Sequence, residues 1–372
     1  MMDLDLTTEQ QMLRDSVRGL CARHCDLTVV RRLEDDPVGY PRDLWEQLGA
    51  LGLLGMTLPE QHGGSGMTML DAAIVYTELG RALVPTPHFA SAVLSGGLLA
   101  RAGATAAAWL PLISSGEAIV VPAWLEAGGG YGPAGVTLAA TPTPGGGYRL
   151  DGSKRHVPFA SAATRLLVLA RTPEDIVFVL VDPAAAGVTL TQHKTVASDT
   201  QYRVDFAGVE VAPDDVVLHG WAPWDHVMHD GIVLLAAQAV GGAHHALEIT
   251  TQYAKDRHQF DKPLGAFQAL AHYLADAVTA VDGAETLVYE AAWAATEGRS
   301  TSRLAPMAKL FACRTFRDVT ATAQQIFGGV GFTLDYDIQL YFRRAKQLEL
   351  SWWDSRHLEQ LIAADVLDPV AV

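Results

Sequence analysis

Four consecutive side chains in the stretch Lys255–Gln268 have the chemistry to bind an anion and a flat ring: Arg257, His258, Gln259 and Phe260. They follow a long apolar-periodic segment and precede Pro263. Proline disfavours helix at the residue before it, so a helix is predicted to end here. A guanidinium held beside an aromatic ring suits a phosphate group and a planar ligand. A simpler interpretation, in which Arg257 complements the dipole of the preceding helix, stays open.

A second segment with ligand-binding features is QIFGGVG, residues 325–331. Its three glycines follow an apolar helix, and a backbone without Cβ atoms lets a ligand approach closely. An ordinary helix C-cap accounts for one of the three. The other two predict a backbone that lies against a ligand.

These two segments resemble the acyl-CoA dehydrogenase family when they are taken together with YFRRAK (Tyr341–Lys346) and two N-terminal stretches. The N-terminal stretches are LTTEQQMLRDSVR and LPEQHGGSGMTMLDAAIVYTELGRAL. The resemblance covers nearly the whole chain and is weakest in the middle. It implies α,β-desaturation of an acyl-CoA thioester with FAD as the cofactor and electron-transferring flavoprotein as the acceptor.

The resemblance also implies which residues bind the cofactor. Both segments would reach across a subunit interface to the pyrophosphate and adenosine end of a neighbouring subunit's FAD. The residues implied in this role are Arg257, His258, Gln259, Phe260, Gln268, Gln325, Ile326, Gly328 and Gly329.

The sequence departs from the family pattern where a subunit holds its own flavin ring. A threonine–glutamate–proline–glycine–serine–aspartate run should follow Ile119-Val120-Val121. Here Pro122–Glu126 and three glycines stand in its place. A tryptophan–isoleucine–threonine element should follow Gly152-Ser153-Lys154, and His156-Val157-Pro158 occupies it. The ring-holding face is therefore predicted to be altered.

The catalytic base is the third departure. Desaturation needs a carboxylate at the α-carbon of the substrate. The resemblance places that glutamate at one of two positions, which hold Trp352 and Gly231 here. Asp354 and Asp230 lie nearby and are the candidate catalytic residues. One residue turns a helix by about 100° and aspartate is shorter than glutamate, so the alternative is that both are ordinary polar or capping residues.

The pattern of kept and lost elements suggests a hypothesis about the role of the chain. It would be the subunit without the base in a heterotetramer, and it would donate FAD-binding residues to a related subunit. Heteromeric actinobacterial enzymes that act on steroid side-chain CoA thioesters are similar. Two alternatives stay open: a self-sufficient homotetramer with an aspartate base, and a flavin-free acyl-CoA-binding or dehydratase-like protein on the same fold.

The composition and charge of the chain disfavour several other classes of protein. The chain has 372 residues, 49% of them hydrophobic, and a net charge of −15. This charge disfavours nucleic acid and anionic membrane surfaces as partners. Three cysteines without a CxxC pair predict a reduced, cytoplasmic setting and no metal site. No apolar run approaches a membrane span.

Hydrophobic periodicity predicts an α+β fold in three domains. Residues 1–116 form an N-terminal helical bundle, 117–220 a middle β-barrel or sandwich, and 221–372 a C-terminal four-helix bundle. Thr7 and Gln10 predict a capping box at the first helix. The last helix is expected to run unbroken from Tyr341 to Ala364, with Glu349 on its exposed side. The other predicted helices are Leu6–His24, Asp43–Leu51, Met67–Leu83, His88–Ala102, Asp225–Asp256, Ala266–Glu297 and Ser302–Phe327.

Overall fold

A computed structural model describes residues 5–367 of the chain. Helices occupy both ends of the sequence. In chain order they are α1 (Thr8–His24), α2 (Leu27–Arg32), α3 (Arg42–Ala50), α4 (Met69–Arg81), α5 (Gly97–Leu99), α6 (Ala104–Ala107), α7 (Leu110–Ser115), α8 (Ala222–Asp256), α9 (Gln268–Thr296), α10 (Leu304–Phe327), α11 (Ile338–Leu350) and α12 (Ser355–Leu367). A buried π-helix, Phe89–Gly96, precedes α5.

Strands occupy the middle of the sequence and one short hairpin. They are β1 (Val120–Ala123), β2 (Ala139–Pro142), β3 (Tyr148–Pro158), β4 (Arg165–Arg171), β5 (Ile176–Val181), β6 (Val188–His193), β7 (Gln201–Val211), β8 (Val216–His219), β9 (His258–Gln259) and β10 (Lys262–Pro263). The predicted order of helices, strands and helices is therefore confirmed. Strand β8 was not predicted from the sequence.

The contacts of the chain group it into two compact units. One contains residues 5–30, 68–84 and 232–367, and the other contains residues 31–67 and 85–231. The predicted three-domain division follows the order of elements along the chain, whereas these units cut across it. The reason lies in packing, because α4 packs against both α1 and α9.

Local signals explain where the helices of the first unit begin and how they pack. The predicted capping box at α1 is present: the Gln10 amide N–H donates to Thr7 Oγ1 at 3.2 Å, and the Thr7 N–H donates to Gln10 Oε1 at 3.1 Å. Helices α4 and α8 approach closely at Gly241, where an added Cβ would lie 1.8 Å from the Thr77 carbonyl oxygen. Only glycine permits that approach.

One eight-stranded sheet forms the centre of the second unit. The strand order is β6-β7-β3-β2-β4-β5-β8, and β1 pairs in parallel with β4. Every residue of β5 is buried, and β4 is buried apart from its two terminal arginines. The sequences of β4 and β5 are almost continuously apolar, without the alternation of a half-exposed strand, because both faces of these strands are buried.

One predicted helix is wrong in an informative way. The stretch Tyr341–Ala364 is not continuous, because α11 ends at Leu350 and α12 begins at Ser355. The residues between them include Trp352 and Trp353, which have φ of 54° and 73°. Two successive left-handed residues cannot continue a right-handed helix.

Helix α8 is long and apolar enough to cross a membrane by length and composition. Of its most apolar 18-residue window, 67% is buried inside the chain. That burial is typical of a core helix in a folded domain.

Candidate functional site

A two-residue hairpin loop follows α8 and carries the first predicted ligand segment. Strands β9 and β10 pair Gln259 with Lys262, and the loop between them consists of Phe260 and Asp261. Both loop residues are left-handed, with φ of 52° and 61°. Such loops favour asparagine and glycine, so a bulky residue there is strained. Phe260 meets the edge of the Phe267 ring at 6.2 Å yet stays 85% exposed. Burial within the chain therefore does not account for it.

Polar side chains around this hairpin are open to solvent. Arg257, Gln259 and Gln268 are exposed, and within residues 5–367 the Arg257 guanidinium forms no ion pair or hydrogen bond. The Arg257 backbone N–H donates to the Tyr253 carbonyl at 2.9 Å, which fixes the end of the helix. His258 is exposed and its Nδ1 lies 3.1 Å from the Asp256 carbonyl. The hairpin thus presents a guanidinium, amides and a ring outward.

The glycine segment, residues 328–331, follows α10, and its glycines serve different purposes. Gly328 has φ 65° and ψ −143°, a conformation essentially limited to glycine. A Cβ at Gly331 would lie 2.7 Å from Gln324 Oε1 and 2.9 Å from Phe327 Cβ. Gly329 has neither constraint, since within residues 5–367 a Cβ added there would have no atom within 4 Å apart from its own local backbone and adjacent residues, and its φ is not positive. The fold therefore does not require glycine at position 329, and the absence of a side chain there leaves room for a molecule outside the chain.

The hairpin and the glycine segment lie close to each other. The Tyr253 ring, in the last turn of α8, stacks on the Phe327 ring with centroids 4.0 Å apart and planes 14° apart. Among the predicted contact residues of the second segment, Gln325 is exposed and Ile326 is buried in the core. We call residues 257–263 and 328–331 together the grip.

A buried ion pair joins the two segments in which the predicted ring-holding elements are altered. Lys154 Nζ donates to Glu126 Oε1 at 2.6 Å and to the Trp124 carbonyl at 3.1 Å. Burial lowers the pKa of Lys154 to about 8 against the opposing effect of Glu126. Glu126 also accepts the backbone N–H groups of Thr137 and Leu138, at 2.9 Å each. The hydrogen-bonding capacity of the Glu126 carboxylate is therefore taken up by groups within the chain.

His156 occupies the second altered position and is exposed, unlike Lys154. It lies at a β-bulge with φ 54°, and its Nδ1 is 2.9 Å from Gln201 Oε1. The His156 ring stacks on His193 at 6.1 Å. An exposed imidazole paired with a second imidazole replaces the broad aromatic surface expected there.

The turn between α11 and α12, residues 351–354, holds the first predicted base position, and we call it the tryptophan turn. The Lys309 ammonium is completely buried and donates to the Leu348 carbonyl at 3.1 Å and the Trp353 carbonyl at 2.8 Å. Burial lowers its pKa. Asp354 caps α12, since its Oδ1 accepts the His357 N–H at 2.9 Å. The turn is thus held by bonds within the chain.

The second predicted base position, Gly231, is closed by packing. A Cβ there would lie 2.9 Å from Leu94 Cδ2 and 3.4 Å from the Phe89 ring. Leu94 is fully buried, so a longer side chain at Gly231 would require it to move. The neighbouring Asp230 lies 3.6 Å from the Arg101 guanidinium and 3.5 Å from His226 Nε2. Its carboxylate forms an ion pair with Arg101 and lies beside the imidazole of His226.

Comparison with known proteins decides the family. Residues 7–117 match the N-terminal domain of acyl-CoA dehydrogenases and residues 219–351 match the C-terminal domain. Acyl-CoA dehydrogenase IpdE2 of Mycolicibacterium smegmatis is 32% identical over 91% of this chain and 93% of its own length. The chain belongs to the acyl-CoA dehydrogenase family.

Solved structures of acyl-CoA dehydrogenases share the fold along the whole chain. One is the ChsE4-ChsE5 complex from Mycobacterium tuberculosis, with a TM-score of 0.90, 28% identity and full coverage of both chains. Another is the steroid acyl-CoA dehydrogenase Tcur3481-Tcur3483, with a TM-score of 0.87, 29% identity and coverage of 98% and 99%. The predicted fold class and enzyme family are therefore confirmed.

Acyl-CoA dehydrogenases are FAD-dependent, and the grip fits the tail of that cofactor. A guanidinium and side-chain amides are the usual donors to a pyrophosphate. The exposed ring of Phe260 offers a surface for a planar base, and Gly329 permits close approach of the backbone. Gln324 Oε1 is buried beneath the glycine segment without a hydrogen-bond partner among the described residues, as expected at an incomplete site.

Two residues of this acyl-CoA dehydrogenase that matter to the tryptophan turn, Lys309 and Glu349, were not predicted correctly from the sequence. Lys309 lies on the apolar face of α10 with Ala305, Ala312 and Phe316, and that spacing was the available signal for its burial. Glu349 was expected to be exposed, but it is 7% exposed and accepts from Arg317 at 2.5 Å. Long-range pairing of this kind leaves no local mark in a sequence.

Proposed function

We propose that this chain is the subunit without a catalytic base in a heteromeric, FAD-dependent acyl-CoA dehydrogenase. The observation that carries the proposal is a contrast within the chain. The grip is open to the outside, whereas both base positions lack a carboxylate and the nearby Asp354 and Asp230 are engaged as a helix cap and an ion pair. The chain would hold the tail of FAD whose ring lies mainly in a related partner subunit.

The proposed reaction is α,β-desaturation of an acyl-CoA thioester. Bound FAD supplies the acceptor for the hydride that leaves the β-carbon. Arg257 and Gln259 would hold the pyrophosphate by charge-assisted and amide hydrogen bonds, and Phe260 would cover the adenine. The partner subunit would supply the carboxylate that removes the α-proton.

The relatives support a specific assembly and substrate class. One matching structure is a complex of two different chains, and another is a steroid acyl-CoA dehydrogenase. We infer a heterotetramer that acts in the cytoplasm on CoA thioesters of steroid side chains and passes electrons to an electron-transferring flavoprotein. The exposed apolar side chains Phe260, Phe332 and Leu334, which are 85%, 71% and 74% exposed, favour burial against another subunit.

The test compares the chain purified alone with the chain co-expressed with a related acyl-CoA dehydrogenase polypeptide encoded beside it. We expect the flavin spectrum, and dehydrogenation of a steroid side-chain CoA thioester, from the complex and not from the lone chain. Stoichiometric FAD and turnover in the lone chain would overturn the proposal. Within the complex, Arg257→Ala should weaken FAD binding by roughly tenfold or more, because a hydrogen bond to a charged group is lost. Arg299→Ala, at an exposed arginine beside Trp293, is the matched control.

A further inference from the structure

Three aromatic rings join the two halves of the grip. Tyr253 stacks on Phe327 at 4.0 Å, and Tyr336 meets both rings edge-on, at 6.3 Å from Tyr253 and 5.7 Å from Phe327. Edge-on and stacked arrangements are the favourable geometries for aromatic pairs. Tyr336 is 37% exposed and Tyr253 is half-buried. The two tyrosine rings therefore bury less apolar surface than enclosed core rings do. Their packing on Phe327 suggests a role beyond the stability of the core.

The position of each ring along the chain indicates that role. The Tyr253 carbonyl accepts the Arg257 N–H at 2.9 Å, so this residue also forms the helix turn from which the hairpin leaves. Phe327 immediately precedes Gly328, where the glycine segment begins. A stack between these two rings therefore sets the spacing between the hairpin and the glycine segment. Tyr336, which follows the glycine segment, braces the stack from its edge.

We infer that Tyr253 is a positioning residue for the pyrophosphate and adenosine half of FAD. It acts by holding Arg257 and Gly329 at the separation that one dinucleotide tail requires. Small errors in such spacing weaken binding strongly, because several contacts must form at once. The inference rests on the proposed function, since it assumes that the grip binds an FAD tail.

The experiment measures FAD and FMN binding to the co-expressed complex after its flavin has been removed. FMN lacks the adenosine half and one of the two phosphates, so it is too short to contact both the hairpin and the glycine segment, and its binding does not depend on their separation. Tyr253→Leu removes the stack, and Tyr253→Phe keeps it. Trp293→Leu removes an aromatic ring from the far end of α9 as the matched control. Thermal unfolding of each flavin-free complex monitors the fold.

We expect Tyr253→Leu to weaken FAD binding by about tenfold while FMN binding stays unchanged. Tyr253→Phe and Trp293→Leu should bind both flavins like the wild type. Equal losses of FAD and FMN binding would overturn the inference, because they indicate a general structural defect. Wild-type FAD binding in Tyr253→Leu would also overturn it.

Arg257→Ala separates failure of this inference from failure of the proposed function. If Arg257→Ala weakens FAD binding and Tyr253→Leu does not, the grip stands and the positioning role is wrong. If neither changes FAD binding, the grip does not hold an FAD tail. Should Tyr253→Leu fail to fold, Tyr336→Leu replaces it, with an expected loss of about threefold for FAD and none for FMN.

Discussion

The grip and the tryptophan turn contain the same backbone anomaly in opposite surroundings. Each has two successive residues with left-handed backbone and without glycine: Phe260 and Asp261 in one, Trp352 and Trp353 in the other. Trp353 is 1% exposed and its carbonyl accepts a bond from a buried lysine, whereas Phe260 is 85% exposed. Strained backbone persists where something holds it. In the tryptophan turn the chain encloses the strained residues, whereas in the grip they project outward at the tip of the β9–β10 hairpin. Under the proposed function, a bound FAD tail or a partner subunit would cover them.

This difference has consequences that substitutions can measure. Substitutions in the tryptophan turn should lower the free energy of unfolding and leave the flavin tail site alone. Substitutions on the outward side of the grip should weaken FAD binding and leave the free energy of unfolding unchanged. Changes at Lys309, at Gly331 and Gly329 of the grip, and at Asp354 each test whether the two effects are separate, and the largest effect is expected at Lys309.

Lys309→Met should destabilise the chain by about 3 kcal/mol, because the buried carbonyls of Leu348 and Trp353 lose their donor. Urea unfolding of the lone chain measures the change. Lys255→Met, at an exposed position in the last turn of α8, is the control and should stay within about 0.5 kcal/mol of the wild type. A Lys309→Met protein as stable as this control would show that the lysine does not hold the turn.

Two of the three glycines of the grip should respond differently to alanine. Gly331→Ala forces a methyl group against Gln324 and Phe327 and should cost about 1–3 kcal/mol of unfolding free energy. Gly329→Ala meets no atom of the described chain, so its stability should stay within about 0.5 kcal/mol of the wild type.

The role of Gly329 in binding is measured by titrating the flavin-free complex with FAD. Gly329→Ala should weaken FAD binding about tenfold, since the added methyl group would stand where the cofactor tail approaches the backbone. Unchanged FAD binding in Gly329→Ala would remove the main reason for treating that side of the grip as outward-facing.

The sequence predicted these two regions unequally, for physical reasons. The end of the helix before the hairpin was predicted because Pro263 and the end of an apolar-periodic segment are local signals, whereas the pairing of β9 with β10 was not predicted. The tryptophan turn was mistaken for helix because tryptophan at positive φ has no propensity signature, unlike glycine or asparagine. What stabilises the turn is Lys309, 44 residues away from Trp353 in the chain. Tertiary support of that kind cannot be read from local patterns.

Asp354 offers a finer test of the same contrast. Asparagine is as good an N-cap as aspartate, whereas alanine cannot accept the His357 N–H. Asp354→Ala should therefore cost about 1 kcal/mol of stability, and Asp354→Asn very little. Turnover of the complex should be unchanged in Asp354→Asn. A large loss of turnover with FAD retained would instead identify Asp354 as a base and favour a self-sufficient enzyme.

The smallest expected effect is a pH dependence that belongs to Lys309 alone. Burial lowers the pKa of this lysine in the folded chain below its ordinary 10.5. Between those two pKa values the unfolded chain binds more protons, so the contribution of Lys309 to the free energy of unfolding rises with pH. Lys309→Met lacks this contribution. Its stability deficit should therefore widen as the pH is raised from neutral toward 10.5.

Equilibrium unfolding of wild type, Lys309→Met and Lys255→Met across that pH range measures the effect. Lys154, whose pKa burial lowers to about 8, titrates in the same window but is present in all three proteins, so its effect cancels in the differences. Parallel curves for wild type and Lys309→Met would mean that Cys313, Asp354 and Glu349 offset the effect of burial, so that folding leaves the pKa of Lys309 unchanged. Burial in the tryptophan turn would then carry no measurable electrostatic cost, and this part of the contrast with the grip would not hold.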